Sequence, residues 1–341
     1  MIVETGAFEQ FGIHRMWDYI NLKYVDDINR NEDEIIRKIE KSTNTINEKL
    51  SFEPGINGFQ FTNYSTCVTE GKVNVYSKRL TVTGNIDPHI FNNKTTRYKK
   101  KDYKEPYITY NSEIISEGKW KLFSSPKVMV AGMTKEIEAA LDINGSYAPA
   151  VSVYSICGTI DNLYTIQTII NSKMINWFFK YKFSDKHMAG GYISVNNLLL
   201  QQIPFKKTQN SQLTKELAIK SNEFRVAFEK IVSNVAHFLI SRNSLLPLSK
   251  KLKNWNELEF AEFLKELEKA RKKSAKENQQ EYKKLSLSEE AEWMQYFNEQ
   301  KQKAQELKTQ INQTDKEIDK MVYELYELTP EEIEIVENSV K

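Results

Sequence analysis

VMVAGMTKEIEAALDINGSYAPAVSVYSI, residues 128–156, has the punctuation of an ordered α/β unit, yet no residue in it is suited to chemistry. VMV at 128–130 reads as a strand. Thr134 reads as the cap of a short helix running through Leu141, Asn144 and Gly145 as a turn, and PAVSVYSI as a second strand. Such a stretch is scaffold, and it sets a mixed α/β expectation for the residues around it.

Outward from this unit the pattern continues on both sides. DNLYTIQTIINSKMINWFFKYKF (161–183) has helical periodicity, with Asn171 ending one helix and Ser172 capping the next. GGYISVNNLLLQQIPF (190–205) returns to a strand and a short helix. On the amino-terminal side, GFQFTNYSTCV (58–68) and KVNVYSKRLTV (72–82) read as β-type runs between Gly and Asn turns. EDEIIRKIEKSTNTINEKL (32–50) spaces Ile35, Ile39, Ile46 and Leu50 along one helical face.

All 12 glycines lie at or before Gly191, and only Pro247 and Pro330 follow Pro204, so the tail lacks helix breakers. Leu213, Leu217, Phe224, Phe228, Ile231, Val235 and Phe238 follow helical spacing, as do Leu258, Phe260, Phe263, Leu264 and Leu267. Residues 243–254 read as the connection. Thr314 with Glu317 fits a capping box, and Thr329 with Pro330 and Glu332 fits another. The fold class expected is α+β: a mixed α/β domain followed by an all-helical carboxy-terminal region with long helices. The expected divisions are a helical linker at 1–50, a mixed α/β domain at 51–210 and a helical spacer or docking region at 211–341.

The 341 residues are 40% hydrophobic and 28% charged, enough for more than one domain with a real core. Cys67 and Cys157 are too few for a disulfide framework or a thiolate zinc site. With no signal-like start and no apolar run of membrane length, the expected setting is soluble and cytoplasmic. Net charge is +2 in total but uneven: residues 1–50 carry 7 basic and 10 acidic residues, 51–210 carry 19 and 12, and 211–341 carry 22 and 24. The +7 of the middle suggests an anionic partner there.

No Gly-x-Gly, no Gly-Lys-Ser/Thr and no Pro-Pro occurs, which excludes the dinucleotide fingerprint, the Walker phosphate loop and the Asn/Asp-Pro-Pro-aromatic element of amino methyltransferases. His14, His89, His187 and His237 are dispersed, and no metal site is expected. Asp87 and the later Asp102, Tyr103, Lys104 have the Asp…Asp-x-Lys order of a metal-dependent nuclease, an order that also arises by chance in a charged chain. No catalytic residue is assigned.

NNKTTRYKKKDYKEPYITY (92–110) is more informative. Lys94, Arg97, Lys99, Lys100, Lys101 and Lys104 are interleaved with Tyr98, Tyr103 and Tyr107, a pattern that offers cations to phosphates and flat rings to sugars or bases. A solvated basic loop is the alternative. Lys119 and Lys121 follow in GKWKLFSSPK, and Lys186 and His187 sit beside Gly190 and Gly191.

The segments at 82–90, 128–149, 162–179, 190–205, 254–273, 285–308 and 318–337 together resemble the TaqI-like C-terminal specificity domain of type IIG restriction-modification enzymes, which are adenine-specific DNA methyltransferases. The resemblance covers nearly everything after residue 50 and implies a target recognition domain that reads a short double-stranded DNA sequence. It also implies a methyltransferase domain or subunit as partner, using S-adenosylmethionine and often joined to an endonuclease. In the family, the cofactor loop and the Asn-Pro-Pro-aromatic site precede this part; neither motif is found here, which leaves a fragment or a stand-alone specificity half as the expectation. On this reading the lysines between 94 and 121 fix register on phosphates, and Arg97, Tyr98 and Asn197 reach base edges. The carboxy-terminal helices become a docking element or a self-association surface. A protein-interaction adaptor with a helical arm and a nuclease built on Asp87, Asp102 and Lys104 remain the alternatives.

Overall fold

Residues 127–131, KVMVA, are all buried, and a short strand covered on both faces suits that pattern. The computed structural model describes residues 22–42, 50–56, 58–183, 191–243, 245 and 247–339. Its amino-terminal elements are α1 (Leu22–Ser42), β1 (Ser51–Pro54), α2 (Gly58–Asn63), β2 (Val68–Glu70), β3 (Lys78–Thr81), β4 (Ile86–Asp87), β5 (Ile90–Phe91), β6 (Thr96–Tyr98), β7 (Lys101–Tyr103) and β8 (Pro106–Ile108). There follow α3 (Glu117–Ser124), β9 (Lys127–Ala131), β10 (Met133–Thr134), β11 (Ala139–Asp142), β12 (Tyr147–Pro149), β13 (Val153–Cys157), α4 (Ile160–Ile170), α5 (Lys173–Lys182), β14 (Ile193–Ser194) and α6 (Asn197–Leu200). The helical region comprises α7 (Ser211–Asn243), α8 (Lys250–Lys253), α9 (Phe260–Glu277), α10 (Leu287–Leu325) and α11 (Pro330–Ser339).

Two four-stranded sheets carry the first part. One has the order β1-β13-β9-β11, antiparallel throughout; the other has the order β12-β3-β8-β2, with β12 parallel to β3. Alternation along β9 sends Val128 and Val130 into a core built with α4 and α5, and Met129 and Ala131 into a second layer with Ile86, Ala140 and Val153. The sheet is therefore covered on both sides, and the α+β class is the observed one.

Asn171 and Ser172 behave as the sequence indicates: the first ends α4, and the second caps α5 by accepting from the Ile175 N–H. The segment 134–141 differs. It is not a helix: Thr134 ends β10, residues 135–138 form an irregular bend, and 139–141 belong to β11, with Ala139 facing Val130 and Leu141 facing Val128 across β9 and β11. The outer edge of this strand is satisfied by amide side chains from the helices, Asn171 exchanging two bonds with Ala139 (3.0 and 2.9 Å) and Asn176 accepting from Ile137 N–H at 2.7 Å. These tertiary partners outweigh the local helix propensity. PAVSVYSI splits into β12 and β13 at a corner where Ser152 has φ 59°. Residues 58–68 are largely helical rather than extended, because Tyr64, Cys67 and Val68 turn inward to a core with Leu80, Ile108 and Phe123. Ile46 lies outside the described residues.

The tail is helical as its composition dictates. Thr329 and Glu332 exchange the two bonds of a capping box at the start of α11 (2.7 and 3.3 Å). Thr314 caps nothing: α10 runs through it without interruption, and its hydroxyl donates to Gln310 O at 2.8 Å. At 33 and 39 residues, α7 and α10 would extend about 50 and 60 Å. Their paired ends, at Leu217 and at Ile318 and Val322, belong to the same core as β9, whereas Val235, Leu239, Trp255, Phe263 and Phe297 build a separate core farther along. Among the described residues no helix is long and apolar enough to cross a membrane.

Two charged groups fix the framework from inside. Lys127 and Asp142 face each other across β9 and β11, with Nζ 2.6 Å from the carboxylate and both side chains sealed from solvent. Lys127 also donates to Phe123 O (2.8 Å) and Ser125 O (3.2 Å), while Asp142 accepts from the N–H groups of Ser146 (2.8 Å) and Tyr147 (3.0 Å). Asp319, buried on α10, accepts from Lys173 N–H at 2.8 Å; near it lie Lys173 Nζ, Glu337 and Asp315. Burial pushes its carboxyl up to about 6 against the pull of Lys173.

Lys127→Met should lower unfolding free energy by about 3–5 kcal/mol in urea titrations, because it strands a buried carboxylate; a loss below about 1 kcal/mol would contradict this role. The raised Asp319 carboxyl favours the folded state while protonated. Its contribution is complete below the ordinary carboxyl range near 3.8 and is lost as pH rises through about 6. Asp319→Asn should therefore gain thermal stability relative to the parent as pH increases across that window, and parallel melting-temperature profiles would refute the assignment.

Candidate nucleic-acid interface

The hairpin of β6 and β7 turns on two residues, Lys99 and Lys100, at φ 48° and 66°. A two-residue corner with both φ positive is ordinarily the place for Asn-Gly, because a longer side chain crowds its own backbone in the left-handed region. Here two exposed lysines occupy it. Strand alternation divides the rest of the hairpin: Arg97 and Asp102 point outward and Thr96, Tyr98 and Tyr103 inward, while Lys101, opposite Tyr98, shares the inner face by register but is exposed at the end beside the corner.

The inward face corrects one expectation. Tyr98 and Tyr103 are core residues; Tyr98 packs edge-on against Phe61 at 4.8 Å and donates its hydroxyl to Phe61 O at 2.9 Å. Burial raises the Tyr98 phenol pKa, and neither ring is presented to a base. Arg97 remains exposed, with a loose 3.9 Å approach to Asp102, and Lys101 lies 4.6 Å over the Tyr103 ring. Lys104 is exposed too, and the carbonyl of that residue accepts from Arg79 Nη2 at 3.0 Å, which ties the hairpin to β3.

Beyond that tie lies a cleft of about 540 Å³ in the surface of the second sheet. Lys72, Lys78 and Arg79 line it, with Arg79 5.6 Å over the Tyr107 ring. The stacked rings of Phe91 and Tyr147, 3.9 Å apart, form another part, and Asn93, Asn144 and Ser146 bring exposed polar groups. Asn85 and Asn92 also border it but are buried and spent internally, on Lys94 O (2.9 Å) and on Gly84 O and Asp87 (3.0 and 2.8 Å). The turn carrying Asn144 cannot drift: Asp142 holds its far side, and at Gly145, φ 58°, an added Cβ would stand 2.0 Å from Ser124 O. Glu105 and Glu70 temper the positive charge, Glu70 by accepting from the N–H groups of Lys104 and Glu105 (3.1 and 2.6 Å). Lys72, Lys78 and Arg79 were hidden in a stretch that reads as a strand; the excess of basic residues in the middle of the chain was their signal.

Other sequence-predicted residues fall elsewhere. Lys94 grips both oxygens of Asp87 (3.1 and 3.0 Å) in an acidic neighbourhood where burial, with Asp87 nearby, raises the Glu138 carboxyl to about 7 and also raises that of Glu229. A phosphate would be repelled there. Lys119 is a staple, donating to Pro54 O and Gly55 O (2.6 and 2.7 Å), whereas Lys121 on the same helix is exposed. Asn197 donates to Phe52 O at 3.1 Å and so binds α6 to β1 instead of facing a base. Lys186 and His187 lie outside the described residues. Asp87 and Asp102 belong to different hairpins and pair with different cations, and among the described residues no group of three or more His, Cys, Asp or Glu is placed to hold a metal.

No curated protein matches the chain. Residues 206–322, most of the helical region, match a family described as a domain of unknown function (DUF8810). The preceding segment includes the hairpin, the Phe91, Tyr107, Asn144 and Tyr147 part of the cleft, and the buried ion pair. Over those residues, 89–205, the chain matches the TaqI-like C-terminal specificity domain, the family that its sequence resembles.

Proposed function

We propose that this protein is a sequence-specific reader of double-stranded DNA within a type IIG-like restriction-modification system. In that role it directs an adenine-N6 methyltransferase, with S-adenosylmethionine as methyl donor, and any endonuclease of the system acts through the same positioning. The chemistry belongs to the methyltransferase domain or subunit. The match over 89–205 supports the specificity role, and one observation carries the placement of DNA: the two left-handed lysines at the corner of the β6 and β7 hairpin. A backbone held in a conformation unfavourable for its side chains is retained where those side chains are used.

The geometry supports a division of labour. Lys99, Lys100, Lys101, Arg97 and Lys104 are exposed cations on one hairpin, able to replace counterions on successive phosphates and set register. The cleft beside them offers amide and hydroxyl groups, which distinguish base edges in the major groove. Lys121 extends the cationic rim. The long helices α7 and α10, whose paired ends share the recognition core, serve as the docking arm for the methyltransferase. The acidic neighbourhood of Asp87, Glu138 and Glu229 bounds the footprint on the side facing that arm.

Replacing Lys99 by Asn and Lys100 by Gly separates folding from binding, since Asn-Gly suits the corner better than Lys-Lys. The double variant should melt at or above the temperature of the parent. Its duplex affinity should fall, and the slope of log K against log salt should flatten by up to about 0.9 for each phosphate that is no longer neutralised. An unchanged slope in a folded variant would remove this hairpin from the interface.

A further inference from the structure

Loop 71–77, GKVNVYS, joins β2 to β3 and holds an unusual set of exposed apolar side chains: Val73 at 61%, Val75 at 77% and Tyr76 at 71% of full exposure. Exposed singly, such residues need no explanation, but three on one short loop do. Nor is the loop slack. Gly71, at φ 81°, donates to Glu105 O at 2.8 Å and anchors one end. Ser77 N–H closes the turn onto Asn74 O at 3.1 Å; Asn74 Oδ1 accepts from Tyr76 N–H at 2.9 Å, and the Ser77 hydroxyl meets Thr109 Oγ1 at 2.9 Å. Val75 and Tyr76 occupy the two corner positions of that turn and are largely exposed. Lys72 and Lys78 flank the tip, and both line the cleft, as does Val75.

An apolar knob braced by its own hydrogen bonds and bordered by cations is complementary to a groove whose walls are phosphates and whose floor carries methyl groups. Resting on the DNA-reading assignment above, we infer that Val75 and Tyr76 read thymine in the major groove by contact with its C5-methyl group, with Lys72 and Lys78 on the adjacent phosphates. The loop precedes the segment matched to the specificity domain, so this reading element lies outside the matched residues. A protein partner could also cover an apolar tip, but the cationic border favours the nucleic acid, and the two occupants give different results below.

The test uses the full chain and a pool of duplexes randomised at their centre. The site enriched by the parent protein is resynthesised with each thymine replaced in turn by deoxyuridine, which lacks only the C5-methyl. At one or two positions the parent should lose about fourfold in affinity, the worth of roughly one buried methyl group. The Val75→Ser/Tyr76→Ser variant should bind thymine and uracil duplexes equally there, with its salt slope unchanged. If the parent is indifferent to every uracil, or the variant keeps the same preference and affinity as the parent, the inference is overturned and the tip faces a protein instead, while the DNA-reading assignment stands. If the parent enriches no sequence, that assignment falls and takes this inference with it.

Discussion

The buried ion pair of Lys127 and Asp142 is the constraint on which the proposed recognition surface rests. Taking both charges out of water is costly, and the pair persists because every strong bonding position is filled: two carbonyls at the end of α3 for the ammonium, two N–H groups of the following turn for the carboxylate. One cross-strand contact thus joins the central strand of the first sheet, the end of a helix and the turn at 142–147. That turn delivers Asn144, Ser146 and Tyr147 to the cleft, and Gly145 lets it press against Ser124. A polar joint of this kind fixes one arrangement where a purely apolar one would admit sliding.

The helical region is coupled to this framework at both ends. The start of α7 and the end of α10 enter the core beside α4 and α5, and α11 folds back so that Glu337 meets Lys173 at 2.6 Å and Tyr323 at 2.9 Å. Arg225 clasps both oxygens of Asp315 at 2.8 Å, crossing from α7 to α10 just beyond the sheet. Asn222 reaches back to His89 O at 2.8 Å, and burial together with the Arg225 charge drives the His89 imidazole well below its ordinary range, so it stays neutral. In the proposed role, an arm rooted this way transmits position: a partner docked on its far end is held at a set place relative to the cleft.

Much of this was legible in the sequence, and the failures have physical causes. Helix boundaries set by side chains acting on their own backbone, such as Ser172 and Thr329, could be read directly. The segment 134–141 could not, because its partners are Asn171 and Asn176, more than thirty residues away, and a strand edge satisfied by amides leaves no periodicity. Thr314 has capping-box spacing but lies in a helix without a breaker. The basic segment 92–110 announced its charge, yet composition does not say which side of a hairpin faces water: Tyr98 and Tyr103 went inward, and Lys94 went to Asp87. Lys78 and Arg79 gained their place from sheet order, since β3 lies between β12 and β8, a neighbourhood no local pattern reveals.

In the proposed arrangement DNA lies across the hairpin and the cleft together, and the distal arm is left for a partner. Amide hydrogen exchange of the full chain, with and without a duplex enriched from a random pool, tests that most directly. Slowed exchange is expected at 71–79, 97–104 and 143–147, with unchanged exchange along 228–304. Protection confined to the arm, or none in the hairpin and cleft while the duplex is bound, would contradict it.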